Sequence, residues 1–139
     1  MRYSGGMGVA GPGDEGGFTL IELITVIAII GVLVAIAVPQ YRVAITQSRE
    51  AVLKEDLFSF RDAIDHYWAD KGHYPASLEA LASEGYLRSI PPDPISGAPD
   101  WKEIPADPDP DNPNQAAGVQ DVKSSAAGTS LSGTAYSEW

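Results

Sequence analysis

The sequence predicts an α+β chain: a long N-terminal helical stem, one half membrane-seeking and the other amphipathic, packed by a small C-terminal antiparallel sheet and loops. Three observations carry this. Residues 18–38 form a 21-residue apolar run. Residues 40–71 contain no glycine or proline and repeat apolar side chains at three- and four-residue steps. After Gly72 the pattern breaks into short segments punctuated by Gly, Pro and Asp. The resulting divisions are 1–17, a glycine-rich segment; 18–39, an apolar helix; 40–72, its amphipathic continuation; and 73–139, a small head.

The apolar run comes to about 31 Å as an α-helix, which matches a hydrocarbon core of about 30 Å. Its β-branched content would suit a strand, but buried strands rarely exceed about 8 residues, so length selects the helix. A helix apolar on every face needs apolar surroundings on every side, and a 139-residue chain has too little other material to supply them from within. A membrane span and a secretory signal remain. Ala35-Ile36-Ala37 has the small-residue pattern of a signal cleavage site, which would release an acidic domain starting at Val38. Against that, the run exceeds an ordinary signal core, Glu22 lies inside it, and the preceding segment offers Arg2 against Asp14 and Glu15. That segment, 1–17, holds seven glycines and one proline and has no helix-forming or core-forming pattern; Met7 offers a second start.

The amphipathic stretch places Leu53, Leu57, Phe60, Ile64, Tyr67 and Trp68 on one stripe, expected to face a core. It continues the apolar helix into a stem of about 80 Å that ends at Gly72, a residue suited to a helix C-cap. Tyr74-Pro75 predicts an extended turn, and residues 78–84 a short helix with Ser77 as N-cap, stopped by Gly85. An extended piece follows at 90–94. Short strands are expected over 100–104 and 118–125, flanking the polar stretch PADPDPDNPNQ, with the sheet laid on the stripe. Tyr136 and Trp139 would pin the C-terminus to the head.

Nine basic against nineteen acidic residues give a formal charge of -10, which disfavours phosphate backbones and argues against direct nucleic-acid binding. With no cysteine there is neither a disulfide nor a thiolate nucleophile. No nucleophile elbow, phosphate loop or zinc signature occurs, so no catalytic residue is assigned. His66 shares a helix face with Asp62 and Asp70, but one further histidine in the chain makes a solvated polar face the preferred reading.

Glu22 is the anomaly. A carboxylate in hydrocarbon costs about 2.5–3.5 kcal/mol, so it needs a partner or a task. Gly17-Phe18-Thr19-Leu20-Ile21-Glu22, followed by the long apolar helix, resembles the processing motif of type IV pilins and pseudopilins. The resemblance implies that a prepilin peptidase cuts between Gly17 and Phe18, making 1–17 a cleaved leader, and that Phe18 is then N-methylated. The new α-amine of one copy would meet Glu22 of another during assembly. Gly31 and Pro39 stand where many pilins carry helix breakers; they cost a helix about 1 and 3 kcal/mol, and the segment between them is expected to melt in the filament. The segment from Tyr74-Pro75 through Leu78 and Leu81 to Pro92-Asp93-Pro94 resembles the major, G-type pseudopilins of type II secretion.

That family implies a helical homopolymer in a secretion pseudopilus. Its partners would be an inner-membrane assembly platform and minor pseudopilins, with the head periplasmic on a single-pass anchor. Arg42, Arg49 and Lys54 follow the span, and the positive-inside rule alone favours the opposite orientation. A type IV or DNA-uptake pilin is the nearest alternative; the absence of a C-terminal cysteine pair leans away from it. No cofactor is expected unless calcium. Asp107, Asp109 and Asp111 have the oxygen-rich alternation of a calcium loop, but Pro108 and Pro110 disfavour the converging turn. G-type pseudopilins often bind calcium in a C-terminal loop, whereas residues 124–133 here contain no Asp or Glu.

Overall fold

The computed structural model describes residues 2, 5, 6, 8, 17 and 19–139. The chain divides into two compact units, Met1–Tyr41 and Arg42–Trp139. Helix α1, Leu20–Lys71, contributes to both and accounts for 52 residues.

Within the first unit, every residue of α1 is exposed. Ile21, Ile27 and Val32 are 73%, 60% and 61% exposed, and the helix is long and apolar enough to cross a membrane. Thr25 Oγ1 donates to the Ile21 carbonyl at 2.7 Å, so its hydroxyl is satisfied without water, as an apolar surrounding demands. Gly31 and Pro39 both lie inside continuous helix in this single subunit. A Cβ at Gly31 would meet nothing within 4 Å, so packing within the subunit does not require glycine there.

In the second unit the stripe is buried. Leu53, Leu57, Phe60, Ala63, Ile64 and Tyr67 pack with Leu78, Leu81, Trp101, Val119, Val122, Ala126 and Tyr136. Trp101 meets Phe60 edge-on, ring centres 4.9 Å apart, and its indole N–H donates to the Pro91 carbonyl at 2.8 Å. This lets a large polar-tipped ring close the core. Trp68, expected on the stripe, is 50% exposed. It lies one residue, about 100° around the helix, beyond Tyr67, and only tilts toward Tyr74 at 6.4 Å.

α1 stops where Gly72 adopts φ +75° and its N–H closes on the Trp68 carbonyl at 2.8 Å, the left-handed cap open to glycine. Helix α2, Leu78–Ser83, is capped by Ser77, whose hydroxyl accepts from the Ala80 N–H at 3.2 Å. Strands β1 (Lys102–Pro105) and β2 (Val119–Lys123) pair antiparallel, with Glu103 opposite Val122 and a register shift between Ile104 and Pro105. Both strands are shorter than the sequence implied: β1 starts two residues later, at Lys102, and β2 stops two residues sooner, at Lys123, beyond which Ser124 turns its hydroxyl to Asp93. The expected sheet is thus two-stranded, with an isolated bridge between Thr129 and Ala135. Arg61 joins α1 to β2, its Nε donating to Asp121 at 2.8 Å and its Nη2 to the Val122 carbonyl at 3.3 Å. A single 3₁₀ turn, Tyr136–Glu138, ends the chain.

One close approach sets where β2 begins. The Val119 N–H donates to the Pro75 carbonyl at 2.7 Å, and a Cβ on the preceding Gly118 would stand 2.6 Å from both Cβ and O of Tyr74. Only a residue without a side chain lets the Tyr74-Pro75 turn come so near.

Candidate functional site

The N-terminal start of α1 is built as a reciprocal cap. The Thr19 hydroxyl accepts the Glu22 N–H at 3.2 Å, and Glu22 Oε2 takes both the Thr19 N–H and the Thr19 O–H, each at 3.2 Å. A helix leaves its first four N–H groups without internal partners. Thr-x-x-Glu satisfies two of them at once and places a negative charge at the positive end of the helix dipole. The pattern was readable in the sequence as Thr19-Leu20-Ile21-Glu22 ahead of an apolar run. Glu22 was assigned to assembly without this local role.

Gly17 is described and exposed; Phe18, the expected new N-terminus, lies outside the described residues. Among the described residues, no basic side chain lies within ion-pair distance of Glu22. The ion pairs found are Arg61–Asp121 at 2.8 Å and, where the imidazole is protonated, His66–Asp62 at 3.4 Å. The site thus consists of an exposed carboxylate, held by threonine, at one end of an exposed apolar helix.

Two polar sets from the sequence are dispersed. Asp70 turns away from His66 and accepts the Tyr86 O–H at 2.8 Å; that bond, then burial, raises the Tyr86 phenol above its ordinary value. Asp107, Asp109 and Asp111 lie exposed in the β1–β2 loop. There Asp109 Oδ1 accepts the Asp111 N–H at 2.9 Å and the Asp109 carbonyl accepts from Asn112 at 3.1 Å, an ordinary polar turn. Among the described residues, no three His, Cys, Asp or Glu side chains converge closely enough to hold a metal ion.

Two buried carboxylates were missed. Asp93 of the Pro-Asp-Pro segment is fully buried; it accepts from the Ile95 N–H at 2.8 Å and from the Ser124 hydroxyl. Glu50, 8% exposed, accepts the Tyr136 O–H and the Leu131 N–H, each at 2.8 Å. Burial, then the bond to Glu50, raises the Tyr136 phenol above 10.0. A signal for Glu50 existed, because it stands three residues before Leu53 and so extends the buried stripe by one step.

Comparison with known proteins agrees with the helix start. The model for the prokaryotic N-terminal methylation motif matches residues 13–38. The type II secretion system core protein G of Pseudomonas aeruginosa is 35% identical over 97 residues, covering 58% of this chain and 68% of that protein. Its counterpart in Escherichia coli is 32% identical over 94 residues, covering 56% and 65%. The fimbrial protein EcpC of Eikenella corrodens is 45% identical over 79 residues, covering 53% and 52%. No solved structure matches the chain. The methylation motif, the apolar helix that follows it and the identity extending past that helix place this chain in the type II secretion system core protein G family of pilin-like subunits.

Proposed function

We propose that the chain is the major building block of a type II secretion pseudopilus. A prepilin peptidase cleaves between Gly17 and Phe18, Phe18 is N-methylated, and the subunit waits in the inner membrane with its head in the periplasm. An assembly platform then adds it to a helical homopolymer, on which minor pseudopilins also act. Its work is mechanical, not enzymatic. The observation that carries this reading is the capped, exposed Glu22 at the head of a helix whose apolar side chains are exposed.

The physical logic has two parts. Apolar side chains are about as well accommodated in lipid as in a fibre core, so burial alone does not pull the subunit out of the bilayer and the machine must supply that work. The carboxylate breaks the symmetry: among the described residues it has only the Thr19 donors, whereas in the fibre it gains the α-amine of a neighbour. That ion pair forms in one register only and so aligns the stems. Between Gly31 and Pro39 the helix unwinds as stems pack. The glycine that packing within the subunit does not require supports this.

Mass spectrometry of the processed chain tests the first step: the expected N-terminus is a methylated Phe18, and an N-terminus at Val38 would instead mark a secreted domain. Glu22→Gln tests the second. It should leave cleavage intact and reduce polymer at least about tenfold, the equivalent of about 1.4 kcal/mol per contact; unaltered polymerisation would overturn the pairing. A fimbrial role is the second reading, favoured by the 45% identity to the Eikenella protein. Deleting the gene decides between them, by loss of exported proteins or loss of surface fibres.

A further inference from the structure

The C-terminal loop lies where the family resemblance implies calcium, and its donor set argues for a different device. Calcium takes 6–8 oxygens, with affinity rising as carboxylates are added. Residues 124–133 supply no carboxylate; the Ser124 hydroxyl donates to Asp93 and the Ser125 hydroxyl to the Asp100 carbonyl, while those of Ser130 and Ser132 meet each other and Thr134. Ser130 Oγ lies 2.8 Å from Ser132 Oγ and 2.9 Å from Thr134 Oγ1; Thr134 Oγ1 also accepts the Trp139 indole N–H at 2.9 Å. The backbone closes without help: the Ser130 N–H donates to the Thr134 carbonyl at 2.7 Å and the Gly133 N–H to the Ser130 carbonyl at 2.9 Å, with Gly133 at φ +89°.

Over residues 128–136, the one side-chain carboxylate bonded to the loop among the described residues comes from α1. Glu50 Oε1 receives the Leu131 N–H and the Tyr136 O–H, so the positive ends of two donor dipoles already occupy that oxygen where a cation would need it. Both contacts span more than 80 residues of chain, and both are to a charged acceptor, the stronger class of hydrogen bond.

We propose that Glu50 is a metal-independent latch: it fastens the loop over 128–136 to the stem and takes the place of calcium in ordering this end of the head. Folding of the head then does not depend on calcium supply, and calcium has no loop-ordering free energy to contribute. The latch operates within one subunit and stands whether or not the chain polymerises.

The test uses the full-length chain in detergent, unfolded thermally in about 5 mM calcium chloride or in excess EGTA, calcium being above the roughly 1 mM that the weakest extracellular sites require. The two midpoints should agree within about 1 °C, and a rise of about 5 °C or more in calcium would overturn the latch. Glu50→Ala should speed hydrogen exchange in the peptide 128–139 at least about tenfold, equally in both media; unchanged exchange, or protection restored by calcium, would count against it. Tyr136→Phe keeps the ring and removes only the O–H, so it serves if Glu50→Ala does not fold. Its midpoint should drop about 5 °C in calcium and EGTA alike, and a wild-type midpoint would refute the assignment.

Discussion

One helix serves two units that stand in opposite relation to their surroundings. Ile27 in the first is 60% exposed, and Leu57 in the second 2%, although both are large apolar residues of α1. The difference was written in the pattern around them. Where every position is apolar, no stripe exists for a few strands to cover, and only a surrounding medium or a ring of like helices can finish the burial. Where apolar residues recur at three and four, a two-stranded sheet, a short helix and a tail suffice. The second unit is therefore completed from within the chain, and the first, whose apolar side chains stay exposed, has a surface left for a membrane or a fibre core to cover, as proposed.

Substitutions should sort the same way. Phe60→Ala removes a fully buried ring and its edge contact with Trp101, and should lower stability by about 3–5 kcal/mol, seen as a fall in the thermal midpoint of the head. Ile27→Ala removes an exposed side chain and should leave that midpoint unchanged while weakening assembly. If Ile27→Ala melted the head, the two units would not be independent in the sense argued.

Gly118→Ala sharpens the claim that the second unit is finished internally. The new Cβ would press on backbone and Cβ of Tyr74, at 2.6 Å each, and neither is a flexible tip that can move aside. The expected loss is about 3 kcal/mol, at the upper end for overpacking. Denaturant titration measures it. A loss below about 1 kcal/mol would mean that the Tyr74-Pro75 turn and β2 can separate at little cost, and that their contact does not position the sheet.

The stem, its stop at Gly72 and the cap at Ser77 were legible because each is local: a repeat within a few turns or one residue type at one position. Strand existence was legible too, but not the ends, since whether Lys102 or Asp100 begins β1 depends on a partner some 20 residues away. Trp68 was misplaced because its spacing from Ile64 suits the stripe as well as Tyr67's does; core contacts chose Tyr67. Glu50 and Asp93 escaped for a different reason. Ile95 is a local donor to Asp93, but the donors Leu131, Tyr136 and Ser124 lie 31 to 86 residues on, and a buried carboxylate is recognisable only once those donors are located. At the candidate site the motif was readable from residue identity, and so was its cap, through the Thr-x-x-Glu spacing.

Two carboxylates of α1 allow the finest test of the contrast. Under the proposed assembly Glu22 meets a partner, so its removal should harm assembly and leave the head alone; Asp56 lies beside its own kind, so its removal should help the head and leave assembly alone. Burial, then the charges of Asp93 and Glu55, raise the Asp56 carboxyl above 3.8. Because the folded value exceeds the unfolded one, the unfolded chain gives up this proton first as pH rises. The contribution of Asp56 to stability is therefore fully present below about pH 3.8 and is lost as pH rises through the folded value. At neutral pH the ionised group is a net cost, and Asp56→Asn should raise the thermal midpoint by about 1–3 °C, a small gain because solvent screens a half-buried charge. The gain over wild type should shrink toward zero as pH falls below 4, where the wild-type carboxyl is itself neutral. A variant less stable than wild type at pH 7 would mean that Asp56 makes a favourable contact outweighing its acidic neighbours. The second unit would then depend on that charge as the proposed assembly depends on Glu22.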